Sequence, residues 1–112
     1  MSELDAEDAK LVVLARGAMG RAEAGSGAAV RDLDGRTYAG ATVDLPSLRV
    51  SAVGVVIAMA VASGAKGAEA VVVLTDADVA EGDLDALRDF AGSGIQVMRG
   101  TPAGQVQNTV ET

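Results

Sequence analysis

Residues 27–43 read Gly27-Ala-Ala-Val-Arg-Asp-Leu-Asp-Gly-Arg-Thr-Tyr-Ala-Gly-Ala-Thr-Val43, and this stretch decides the fold. Two strand-like runs, Gly27 to Leu33 and Arg36 to Val43, flank Asp34-Gly35. An Asp-Gly pair tolerates the positive φ angles that a tight turn between antiparallel strands requires, so the stretch predicts a β-hairpin. Leu45-Pro46 is expected to end the second strand, because proline has no N–H to donate to a ladder. Val50 to Gly64 follows, Val-Ser-Ala-Val-Gly-Val-Val-Ile-Ala-Met-Ala-Val-Ala-Ser-Gly. It is longer than an ordinary strand and closes on a glycine suited to a helix C-terminus, which predicts a helix. Apolar around nearly its whole circumference, that helix calls for burial on every side. A short chain has little material for this, so helix 50–64 is expected to meet another copy and build a homo-oligomer.

The flanking elements complete the order. Ser2 and Asp5 resemble a capping box, and Leu4, Leu11, Leu14, Ala15, Ala18 and Met19 recur at helical spacing, predicting a helix from Glu3 to Gly20. Ala70-Val-Val-Val-Leu74 is continuously apolar, the pattern of a central parallel strand covered on both faces. An acidic loop, Thr75 to Gly82, leads to a short helix over Asp83 to Phe90, ended by Gly92-Ser93-Gly94. Ile95 to Met98 predicts a fourth strand, and Gln105 to Val110, in the tail 100–112, a short last one. The expected fold class is α/β: a single domain over 1–112, three layers, an N-terminal β-hairpin and helices on both faces of the sheet.

Composition bounds the function. The 112 residues include 14 Gly but one Phe, one Tyr and no Trp, so the core is built from small aliphatic side chains. Acidic residues outnumber basic ones 16 to 9, a net charge of −7 that argues against nucleic acid or an anionic membrane as partner. There is no cysteine and no histidine. That removes disulfides, thiol nucleophiles, imidazole bases and the usual zinc ligands together. The acidic start Met1-Ser2-Glu3-Leu4-Asp5 does not have the charge pattern of a signal peptide. The longest apolar run, Val50 to Ala62, falls well short of the roughly 20 residues a bilayer span needs. A cytoplasmic location is the resulting expectation.

The element order, with Ala15-Arg16, Gly27-Ala28-Ala29, Asp34-Gly35-Arg36-x-Tyr38-x-Gly40 and Val71-Val72-Val73, resembles the cytidine deaminase family over about Leu4 to Val110. The resemblance implies that fold and places a ribose contact at Thr42 and Asp44, where the family carries Asn-x-Glu. It sets Ser51-Ala52-Val53 against the family's Cys- or His-Ala-Glu tripeptide, which supplies a zinc ligand and the general acid/base. It sets Val79-Ala80-Glu81-Gly82-Asp83 against Pro-Cys-x-x-Cys, the other two ligands. The aromatic that packs by the base falls near Ala24. Zinc deamination needs a metal-activated water and a proton-shuttling carboxylate. With neither thiolate nor imidazole in the chain, and valine for the glutamate, the expectation is no zinc deaminase chemistry, no cofactor and no enzyme.

Other residues are open to a functional reading. Asp76, Asp78, Glu81, Asp83 and Asp85 form an oxygen-rich loop after a central strand, a placement that suits Mg²⁺ or Ca²⁺. The pattern is not an EF-hand, and Asp83 as cap of the third helix with solvated neighbours is the better account. Gly25-Ser26-Gly27 lacks the lysine and following helix of a phosphate loop and reads as a connection. Ser51 has no evident base and reads as a helix cap. Met59 and Met98 read as core packing. The favoured function is a catalytically inactive, oligomeric interaction or regulatory module with a protein partner. The alternative is a nucleoside-binding module whose remnant pocket uses Thr42, Asp44, Ser51, Val53, Ala80 and Asp83. A carboxylate-and-Mg²⁺ enzyme using Asp76 and Asp78 has least support. An open polar cleft beside Thr42 and Ser51 would favour binding, and one filled by Val53 and its neighbours the interaction module.

Overall fold

The structure, a computed structural model, describes residues 4–112. Helix α1 (Ala6–Ala22) starts at Asp5, whose carboxylate accepts from the Asp8 N–H at 2.8 Å. Glu7 and Asp8 in the first turn complement the positive end of the helix dipole. Ser2 and Glu3, the expected capping residue and helix start, lie outside the described residues. The helix runs past Gly20 and ends at Glu23, which adopts φ 52° and returns its N–H to the carbonyls of Gly20 and Met19.

Strands β1 (Gly27–Asp32) and β2 (Thr37–Ala41) form the expected hairpin, followed by β3 (Val43–Leu45), β4 (Leu48–Val50) and helix α2 (Ala52–Ala62). Then come β5 (Ala68–Leu74), α3 (Glu81–Ala91), β6 (Gln96–Gly100) and β7 (Val106–Glu111). The main sheet has the order β2-β1-β5-β6-β7. β5 and β6 are parallel, and the other neighbours are antiparallel. The apolar run of β5 is central, as its composition predicts, though parallel to one neighbour only. Its side chains alternate between two cores. Val71 and Val73 face α2 and α3, with Val30, Val53, Val56, Leu87 and Val97. Ala70, Val72 and Leu74 face α1, with Leu11, Ala15, Met19 and Met98. Each fully buried Val or Leu contributes about 1.5–3 kcal/mol, so many small side chains replace the missing aromatics.

The turn between β1 and β2 is held by a buried carboxylate. Asp32, 1% exposed, accepts from the N–H groups of Asp34 and Arg36, each at 2.9 Å, and from the Tyr38 hydroxyl at 3.0 Å. Gly35 takes φ +83° there. Gly40 in β2 is a close approach of another kind: a Cβ would stand 2.6 Å from Val55 Cγ1, so glycine lets α2 seat on the strand.

Three expectations are corrected. The second strand ends at Ala41, and Pro46 does not terminate it. Instead Leu45 and Leu48 pair across Pro46-Ser47, so the proline sits in the turn of a separate hairpin, where its fixed φ is an asset. Asp83 is not the cap of α3: that position is Ala80, which has no side-chain bond to offer. Met59 is not core packing: α2 buries Ala52, Val53, Val56 and Ala60, and turns Met59, 41% exposed, outward with Val61, 55% exposed. Among the described residues no helix is long and apolar enough to cross a membrane.

Candidate functional site

Register places three hydroxyls at one end of the sheet. Gly27 pairs with both Ala41 and Leu74, so the next residue out on each strand is Ser26, Thr42 or Thr75. The Thr42 N–H donates to the Ser26 carbonyl at 3.2 Å, which holds two of the three together. The start of α2 closes over this end. Ser51 is its N-cap: Oγ accepts from the Gly54 N–H at 3.0 Å and satisfies one of the free donors of the first turn.

The same hydroxyl donates to Asp83 Oδ1 at 2.7 Å, across 32 positions of sequence. Asp83 lies in the first turn of α3, so this bond joins the N-termini of two helices. The Ser51 oxygen therefore works twice, as acceptor within α2 and as donor to α3. A carboxylate beside two positive helix ends is favourably placed. Among the described residues no protein group donates to the other Asp83 oxygen.

These groups line a cavity of about 180 Å³, walled by the three hydroxyl residues with Ser51, Val53, Asp78, Ala80 and Asp83. Thr42 and Ser51 also border an outer recess of about 530 Å³ that includes Asp44 and Arg49. A further recess of about 360 Å³ runs from Thr42 and Asp44 to Glu23 and Ala24. Asp44 and Arg49 are paired at 3.2 Å on the exposed surface of the β3–β4 hairpin. Charge along the cleft is negative: Glu23, Asp44, Asp78 and Asp83 against Arg49 alone.

Five of the six expected pocket residues, Thr42, Ser51, Val53, Ala80 and Asp83, thus line one cavity, and Asp44 stands outside it in the recesses. The cavity also takes in Ser26, which the sequence offers only as part of a connection, Asp78, which it offers only as a metal ligand, and Thr75. Thr75 and Asp78 follow the C-terminal end of a central strand, the usual place for ligands in α/β sheets, and that signal was available. Among the described residues no three acidic side chains of the 76–85 loop, or any others, converge as a metal site would require.

The donor set does not fit the zinc that the family resemblance implies. The three ligand positions hold one hydroxyl, one methyl and one carboxylate, in Ser51, Ala80 and Asp83, and the two oxygens bond each other. Val53, at the position of the catalytic glutamate, is buried against the core and has no proton to exchange.

Comparison with solved structures gives the same architecture. Cytidine deaminase from Mycobacterium leprae superposes with a TM-score of 0.74 at 21% identity, covering 97% of this chain and 94% of that one. The enzyme from Burkholderia pseudomallei gives 0.75 at 20% identity, covering 92% and 89%. That from Mycobacterium tuberculosis gives 0.71 at 21% identity, covering 85% of each. At these identities the likeness is one of fold. No curated protein matches the chain by sequence. The expectation that the chain is no enzyme is corrected by these findings: the proteins that share its fold are deaminases, and a missing cysteine does not by itself remove activity from the scaffold. The family model described as cytidine deaminase-like matches residues 4–104, and on that match, over most of its length, the chain belongs to the cytidine deaminase-like family.

Proposed function

We propose that the cleft binds a neutral, hydroxyl-bearing small molecule of nucleoside size, with the ring in the inner cavity and the sugar in the outer recess. The observation that carries this reading is the open cavity beside Thr42 and Ser51: Val53 lines it without filling it. Hydroxyls of Ser26, Thr42 and Thr75 supply donors and acceptors, and the free oxygen of Asp83 accepts an N–H from the ring. Val53, Val73 and Val79 supply apolar contact to its faces. Ser51 and Ala80 shape the floor, and Asp44 meets the sugar. The excess of carboxylates disfavours phosphate, so the nucleoside is preferred over its monophosphate.

Thermal unfolding against cytidine, deoxycytidine, uridine and their monophosphates tests this. A ligand at 100 times its dissociation constant adds about 2.7 kcal/mol, a clear shift for a domain this small. Stabilisation by a nucleoside and not by its phosphate is expected. A flat panel, or a preference for the phosphates, contradicts the proposal.

A second reading concerns assembly and rests on α2. Ala58, Met59, Val61 and Ala62 are exposed on a helix that carries no charged residue, a surface suited to a second copy of itself. Light scattering at micromolar concentration is expected to give a multiple of the 11.1 kDa chain mass, and Val61→Glu to return the single chain. A native protein that scatters as a single chain contradicts it.

A further inference from the structure

We propose that the Ser51–Asp83 hydrogen bond joins the starts of α2 and α3 without a metal, making the two residues positioning residues of the cleft. The misfit of the donor set leads to this. Ser51 and Asp83 stand where the family resemblance puts two zinc ligands, and in this chain they bond each other at 2.7 Å. A hydroxyl donating to a carboxylate is a charge-assisted bond, roughly twice as strong as a neutral one.

The local structure gives the bond a task. The cap position of α3 is Ala80, whose methyl cannot cap, so no side chain there bonds the free N–H groups of its first turn. Ser51, in contrast, is fixed by its bond to the Gly54 N–H, and α2 is seated on β2 at Gly40. A fixed donor on α2 thus holds a carboxylate of the first turn of α3. Further along, Leu87 shares the apolar core with Val56 and secures the helix body, while at the start Leu84 alone reaches that core. Both bonded side chains line the cavity, so the distance between the helix starts sets its width.

The test reads stability and hydrogen exchange without ligand, so this proposal and the nucleoside reading fail separately. Native protein is unfolded thermally in EDTA and in excess zinc, and the two midpoints are expected to coincide. A midpoint lowered by EDTA and restored by zinc overturns the proposal. In a cycle of Ser51→Ala, Asp83→Ala and the double variant, the unfolding constants are expected to show coupling of about tenfold. Independent, multiplicative effects overturn it. Asp83→Leu, close in size but with no acceptor for the Ser51 hydroxyl, covers the case of an alanine variant that does not fold. Its Asp83-position and Leu84 amides are expected to exchange several-fold faster while that of Arg88 is unchanged. Unchanged exchange in the first turn overturns the proposal.

Discussion

Asp32 and Asp83 each accept a hydrogen bond from a hydroxyl, and the two carboxylates do different work. Asp32 is buried, and its donors all come from residues 34, 36 and 38 of its own hairpin. It is saturated locally and has nothing left to offer a ligand. Asp83 is half-buried, takes one hydroxyl from a distant helix start and borders a cavity. The contrast separates a structural carboxylate from one available for binding: what matters is the origin and number of its donors, not the residue type. A fully satisfied buried group stabilises a fold, whereas a partly satisfied one beside open space can receive a partner.

The largest expected effect lies at the hairpin. Asp32→Ala leaves two N–H groups and a hydroxyl without their acceptor, and calorimetry is expected to show a loss of several degrees in the unfolding midpoint, greater than for Asp83→Ala. The reverse order would break the comparison. Acid titration sharpens it. Burial alone raises the Asp32 pKa, but the Arg36 N–H, the Tyr38 hydroxyl and the Asp34 N–H outweigh it and hold the group below its ordinary value. Its contribution is therefore present above the unfolded-state pKa of about 3.9 and is lost as pH falls through the lower folded-state value. Circular dichroism is expected to show stability declining below about pH 4 in the native protein, with a flatter acid limb in Asp32→Asn.

Smaller effects are expected in the cleft. Thr42→Val removes one hydroxyl and is expected to weaken nucleoside binding about five- to tenfold by calorimetric titration, with little change in stability. The smallest is Arg49→Ala, since its pair with Asp44 is exposed; a stability change within about 0.5 kcal/mol by denaturant unfolding is expected. A larger loss would mean that the β3–β4 hairpin stabilises more of the molecule than its exposure suggests.

What was legible in the sequence follows from the range of each interaction. Asp34-Gly35 and the run closing on Gly64 are local signals, and the β1–β2 hairpin and α2 are formed where those signals place them. Pro46 misled because one residue type has two uses, ending a ladder or presetting a turn, and only pairing partners decide between them. Asp83 in a first helical turn has the composition of a cap. Its true partner lies 32 residues away, beyond any local pattern. The resemblance brought Thr42, Ser51, Val53, Ala80 and Asp83 together where periodicity alone did not. Ser26 stayed hidden because it meets Thr42 through sheet register, which composition does not reveal, whereas Thr75 had its place after a central strand to mark it.

The most direct test of the cleft as a ligand site is an amide ¹⁵N–¹H titration of the native protein with cytidine in the presence of EDTA. Saturable shifts at Ser26, Thr42, Ser51, Thr75 and Asp83 are predicted. No saturable shifts there, or shifts gathered instead on the α1 groove at Val13, Leu14 and Thr37, would contradict it.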